Sequence, residues 1–175
     1  MSPIKQFFPK TMLGQQGHTL KEVEVKLRVN LERYKVVLGY LTSAQCFAPV
    51  APNKWTPAEI TDHLYRANQY HEAVAQLCRG NPPLVLPLGK LTEEGTMVTE
   101  AALPDVGGKV LLQAVEMLSV GVEDLIAAAQ RAEHLDKVGG VCLTSGFFGP
   151  LTGLERLQLA SAHIAHHTRQ LPNLA

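Results

Sequence analysis

Charge is scarce in this chain, and what there is cancels: Asp, Glu, Lys and Arg make up 18% of the 175 residues, 16 acidic against 16 basic. The charges are scattered. A nucleic-acid footprint needs a concentrated basic face, so no nucleic-acid partner is expected. No block of like charge suggests a membrane-surface patch either. Cysteine is scarcer still. Cys46, Cys78 and Cys142 are odd in number, far apart and never in a CxxC pair, which argues against a disulfide framework and for a reducing cytoplasm. Each reads first as a buried free thiol. No uninterrupted apolar run reaches the length of a membrane span, and the opening MSPIKQFFPKTMLGQQG has no signal-peptide apolar core. These absences together point to a soluble cytoplasmic protein with no membrane partner.

What is present is apolar residue at helical spacing. Hydrophobic types make up 46% of the chain, enough to bury a core without staples. The length suits one domain over residues 1–175, with 1–20 as an N-terminal arm. A first helix is expected from Lys21 to Leu41, where Leu27, Leu31, Tyr34, Leu38 and Leu41 recur every three or four positions. A second begins at Thr56-Pro57-Ala58-Glu59, with Thr as N-cap, Pro at the first helical position and Glu completing a capping box. It runs to about Cys78, before Gly80-Asn81-Pro82-Pro83. A third spans Lys109 to Glu133, with Leu111, Ala114, Leu118, Leu125 and Ala128 in one stripe. The fourth spans Gly153 to Leu171 and ends at Pro172. The connections 80–108 and 134–152 are rich in Pro and Gly, and loops of that length often line a functional site. Four amphipathic helices of this length give an all-α four-helix bundle with long crossover connections.

The functional signal is histidine. His163, His166 and His167 fall within five residues of the last helix, and imidazole is the commonest transition-metal side-chain ligand near neutral pH. At about 100° per residue, His167 lies about 40° from His163, beside Ala160, Leu171, Ile164 and Leu157. His166 falls about 60° to the other side and is expected outside the core. On the second helix, Ile60, Ala67, Tyr70, Val74, Leu77 and Cys78 lie within about 60° of His63, while Asp62, Tyr65, Gln69, Glu72 and Gln76 lie opposite. His63 therefore sits at the centre of a buried stripe. A single core-facing histidine is usually a satisfied buried polar group, and an i,i+4 pair is often surface decoration. Three imidazoles converging in one core would lose hydration without return, a difficulty that a shared cation removes. His71 and Tyr70 share the face of His63, but His71 lies roughly 12 Å farther along the axis, too far to join the same ion. His18 and His134 fall in loops and read as solvated. Gln170 reads first as a helix-end hydrogen bonder and only second as a partner of the metal ligands.

Trp55-Thr56-Pro57-Ala58-Glu59-Ile60-x-x-His63-Leu64 resembles the opening of the second helix in the DinB/YfiT-like superfamily. His163-x-x-His166-His167-x-x-Gln170-Leu171 is similar to its C-terminal histidine motif, and Phe147-Phe148-Gly149-Pro150-Leu151-Thr152 resembles the approach to the last helix in one subgroup. The resemblance implies a four-helix bundle, often a homodimer, with a divalent metal held by one histidine of the second helix and two of the last. By position those are His63, His163 and His167, the three that helix geometry selects. It also implies zinc or nickel as the metal and a small-molecule substrate. Relatives include transferases that use low-molecular-weight thiols, a mycothiol-dependent isomerase and hydrolases. Three imidazoles leave one coordination position open for water or a thiol cosubstrate. The expected function is a metal-dependent thiol S-transferase or hydrolase. The alternative is a non-catalytic helical binding module whose metal is structural or absent. No general base stands out in the sequence.

Overall fold

The computed structural model describes residues 2–3, 8–77, 90–91, 97–98, 111–131, 144–145 and 147–172, with backbone alone for 2–3, 69–77, 90–91, 97–98, 144–145 and 150. Its long elements are four helices: α2 (Leu20–Gly39), α4 (Pro57–Leu77), α5 (Leu111–Gln130) and α6 (Gly153–Thr168). Two four-residue helices, α1 (Thr11–Gly14) and α3 (Ser43–Cys46), precede α2 and α4. Thus α1 falls inside the stretch expected to be an arm, where Leu13 is buried against Phe148 and Leu151. The remaining elements are two-residue strands. Ser2–Pro3, Lys90–Leu91 and Met97–Val98 pair in an antiparallel sheet, and Thr144–Ser145 pairs with Gly149–Pro150. The all-α expectation holds. No helix among the described residues is long and apolar enough to cross a membrane. Cys78, Cys142, His134 and the side chains of Tyr70 and His71 lie outside the described residues.

Four helix starts follow one rule. Thr56 Oγ1 accepts from Glu59 N at 3.1 Å while Glu59 Oε2 accepts from Thr56 N at 2.7 Å, so two orphan amide donors at the α4 terminus are satisfied together. The same reciprocal box starts α2 at Thr19 and Glu22, α3 at Thr42 and Gln45, and α6 at Thr152 and Glu155. The last helix stops at Thr168, three residues short of the Leu171 expected from periodicity. Its final turn tightens, with Arg169 N donating to His166 O and Gln170 N to His167 O. These i→i−3 bonds are the usual finish where a proline, here Pro172, blocks continuation.

One core joins the four long helices. Leu27, Leu31, Tyr34 and Leu38 of α2 meet Ile60 and Leu64 of α4, Leu118, Val122, Leu125 and Ile126 of α5, and Ala160 and Ile164 of α6. Arg28 of α2 grips Glu123 of α5 through two bonds of 2.9 and 2.8 Å, and Gln130 reaches Glu24 at 3.0 Å. The falling α5 numbers along a rising α2 show that these two helices are antiparallel.

The position of α4 is set from two sides. Toward α2, Tyr34 OH lies 2.8 Å from Thr61 Oγ1, which in turn donates to Pro57 O at 2.8 Å. A hydroxyl has one proton, so Tyr34 is the donor to Thr61. Burial raises the Tyr34 phenol far above its ordinary titration range, which keeps that proton in place. Toward α5, Gly121 allows close approach: a Cβ there would lie 3.3 Å from Tyr65 Cδ2. Next to it, Asn68 is 0% exposed and its amide atoms have no hydrogen-bond partner among the described residues. Such burial costs about 1–3 kcal/mol, which the surrounding apolar packing offsets.

Gly121→Val should destabilise the protein by about 1–3 kcal/mol through overpacking of α4 against α5. Denaturant unfolding would read this as a lower midpoint with an unchanged slope; an unchanged midpoint would contradict the tight approach.

Candidate metal centre

Helix α4 carries His63 and helix α6 carries His163 and His167, and the packing of these two helices brings all three rings together. Their ligating nitrogens lie within 4.8 Å of one another. His63 Nε2 is 2.9 Å from His163 Nε2, and His167 Nε2 is 3.0 Å from the same atom. The ring centroids are 4.6 to 4.9 Å apart and the planes are steeply inclined to one another. His63 and His167 are 7% and 6% exposed, and His163 is half-buried.

An imidazole Nε2 carries either one proton or one lone pair in the ring plane. His163 Nε2 therefore cannot satisfy two neighbouring Nε2 atoms at once, and the three rings do not close a hydrogen-bond network among themselves. The cluster is instead a good donor set for a cation. Two nitrogens ligating tetrahedrally at about 2.0–2.1 Å would sit about 3.3 Å apart, within a few tenths of an ångström of the observed contacts. The described donors are three imidazole nitrogens with no carboxylate among them, a set that suits a divalent transition ion better than calcium or magnesium.

Electrostatics keep the set ready. Burial above all, then the neighbouring His63 and His166, pushes His167 down to about 3, so its ring is neutral near pH 7. His167 Nδ1 lies 2.7 Å from Gln170 Oε1. An amide oxygen only accepts, so Nδ1 holds the ring proton and Nε2 presents its lone pair to His163 and His63.

The structure brings together the three residues selected from the sequence and leaves His166 outside that set, its ring centroid 5.1 Å from that of His167. His166 is exposed, and its Nε2 faces the Gln170 amide at 2.9 Å. His18 is exposed as expected. Cys46 is a buried free thiol, and burial pushes its pKa up. Gln170 differs from its first reading: it contacts a cluster histidine directly. Asp62 also departs from expectation, being 1% exposed rather than outward-facing. With α5 and α6 packed against it and Tyr34 of α2 reaching Thr61, α4 has more than one buried face, and Arg66 Nε covers the Asp62 carboxylate at 2.7 Å. Trp55 is the residue that helix geometry missed, because it precedes the helix. Its ring centroid is 4.7 Å from that of His63 and 6.4 Å from that of His167, stacked on the latter at 26°. A tight turn places it. Val50 N donates to Trp55 O and Lys54 N to Ala51 O, around Pro52 and an Asn53 with φ of 59°. Asn tolerates that left-handed conformation, and Pro before it is the usual turn pairing.

A helical bundle with a three-histidine cluster at the α4–α6 contact is thus the class that fold and site define. The sequence model of the DinB superfamily matches residues 26–171, and the chain belongs to that superfamily. Comparison with curated proteins and with solved structures finds no match.

The neutral state of His167 sets a pH dependence. The unfolded ring takes up its proton near 6.5 and the folded ring only near 3, so the unfolded state binds more protons between those values. Stability of the metal-free protein should therefore fall as pH drops from 6.5 toward 3, by at most about 1.4 kcal/mol per pH unit from this group. Denaturant midpoints between pH 7 and 5, with chelator present, would show a shallower slope for His167→Gln than for the wild type. Equal slopes would contradict the assignment.

Proposed function

We propose that the protein is a metal-dependent enzyme acting on a small molecule, with His63, His163 and His167 holding one divalent transition ion, zinc or nickel. The observation that carries this reading is the convergence of three Nε2 atoms that cannot satisfy one another. Bound there, a divalent ion supplies Lewis acidity and an open coordination position, at which a water or a low-molecular-weight thiol is acidified near neutral pH.

The chain's own residues supply the rest. Among the described residues the site has three side-chain donors rather than four, which favours a catalytic over a purely structural site, because a structural ion is normally closed off by a fourth ligand. Trp55 covers the edges of His63 and His167 with apolar surface, which restricts water at the cluster and offers a wall for an apolar part of a substrate. The reaction class is thiol-dependent group transfer or hydrolysis. The two differ only in whether thiol or water occupies the open position.

Protein purified without a histidine tag should contain about one zinc or nickel ion per chain by elemental analysis. Metal at a hundredfold excess over its Kd should stabilise the fold by about 2.7 kcal/mol. His163→Ala should abolish binding, while His166→Ala should still reach one ion per chain at saturation. A wild type with no metal, and no rise in Tm on adding zinc or nickel, would overturn the proposal. Turnover of an electrophilic substrate with and without an added thiol then separates transfer from hydrolysis.

A further inference from the structure

The last turn of α6 does something that the ligand count does not capture. Gln170 sits three residues after His167 and four after His166, the two spacings at which helical side chains meet, and the tightened turn holds it close to both. Its amide spans both rings, with Oε1 at 2.7 Å from His167 Nδ1 and Nε2 at 2.9 Å from His166 Nε2. The two contacts constrain each other. The amide nitrogen has only protons to offer, so His166 Nε2 must be the acceptor, and the amide oxygen is then turned toward His167. A carboxamide turned the other way would press its NH2 on the Nδ1–H of His167 and force that ring to move its proton to Nε2, facing the cluster.

We propose that Gln170 is the positioning residue of the metal centre and that His166, which does not ligate, orients it. This rests on the three-histidine metal reading above. The chain runs from the His166 Nε2 lone pair, through the Gln170 amide, to the Nδ1 proton of His167, and it ends with the His167 Nε2 lone pair aimed at the ion. The third histidine of the motif thereby acts on the metal without touching it. A hydrogen bond to the far nitrogen of a ligating imidazole fixes its tautomer and ring angle and raises its basicity, and losing one typically costs about 10–100-fold in metal affinity.

The test measures zinc affinity by competition with a chromophoric chelator, together with the His167 tautomer in metal-free protein by long-range 15N–1H NMR. Gln170→Leu should raise Kd about 10–100-fold and shift His167 toward the Nε2–H tautomer. Gln170→Glu, whose carboxylate accepts the same Nδ1 proton, should restore both to near the wild-type state. His166→Ala, which leaves the acceptor in place but unoriented, should raise Kd by a smaller factor, about threefold to tenfold, and should add nothing in the Gln170→Leu background. Gln170 and His166 are both exposed at a helix end, so folding is expected to survive these changes, and circular dichroism checks it. A Gln170→Leu protein that binds zinc within threefold of wild type, or keeps His167 protonated on Nδ1, would overturn this inference and leave the metal reading standing. A wild type that binds no zinc would overturn both.

Discussion

The contact between α4 and α6 is the constraint on which the molecule's chemistry depends. It places three imidazoles edge to edge where two of them have little access to water. Buried imidazoles lose hydration, and a single Nε2 atom has only one proton or one lone pair to offer the two others that face it. The rest of the core must therefore hold α4 and α6 together against that cost. It does so with aliphatic packing: Ile60 and Leu64 from one helix and Ala160 and Ile164 from the other meet the leucines of α2 and α5 in a single cluster.

Polar groups inside that core act as locators. The Tyr34–Thr61 bond ties α2 to α4 two residues before His63. Asn30 of α2 donates to Ser161 O and Ser161 Oγ at 3.2 and 2.9 Å, two residues before His163, and Gln16 closes the network. Buried hydrogen bonds of this kind add little net stability, but a slip of one helix past another would leave their partners unsatisfied. Each helix that bears a cluster histidine thus has a polar pin within one turn of it. The N-terminal segment contributes as well, since Gln158 of α6 donates to Gly17 O at 2.6 Å and Lys10 pairs with the capping carboxylate of Glu155 at 3.0 Å.

Around the cluster lie two further contacts, Trp55 against the His63 and His167 rings and Gln170 on His167 Nδ1. Both sit just beyond the ends of regular helices, Trp55 before the α4 cap and Gln170 after the last residue of α6. Such positions are where backbone geometry departs from the helical repeat, and where side chains can reach across a site rather than along a helix face. A site built on rigid helices and trimmed by residues at their ends holds its ligating groups with precision while leaving one approach shaped by a loop.

By itself the sequence determined the four long helices, the capped start of α4, the inward direction of His63, His163 and His167, and the outward direction of His166. All of these follow from a local repeat of 3.6 residues and from capping chemistry within four residues, so a linear reading reaches them. The capping boxes at Thr19–Glu22 and Thr152–Glu155 obey the same rule but emerged only in the structure. Only the tertiary structure decided that Asp62 is buried, because periodicity names one inward face and α4 is packed on more than one. It alone decided that the three Nε2 atoms meet, since His63 is a hundred residues from its partners. It placed Trp55 over the rings through a turn with no periodic signal, and it turned Gln170 from a helix end into a partner of His167 through the tightened last turn before Pro172. Helix directions are local properties; which directions coincide in space is a property of the packing.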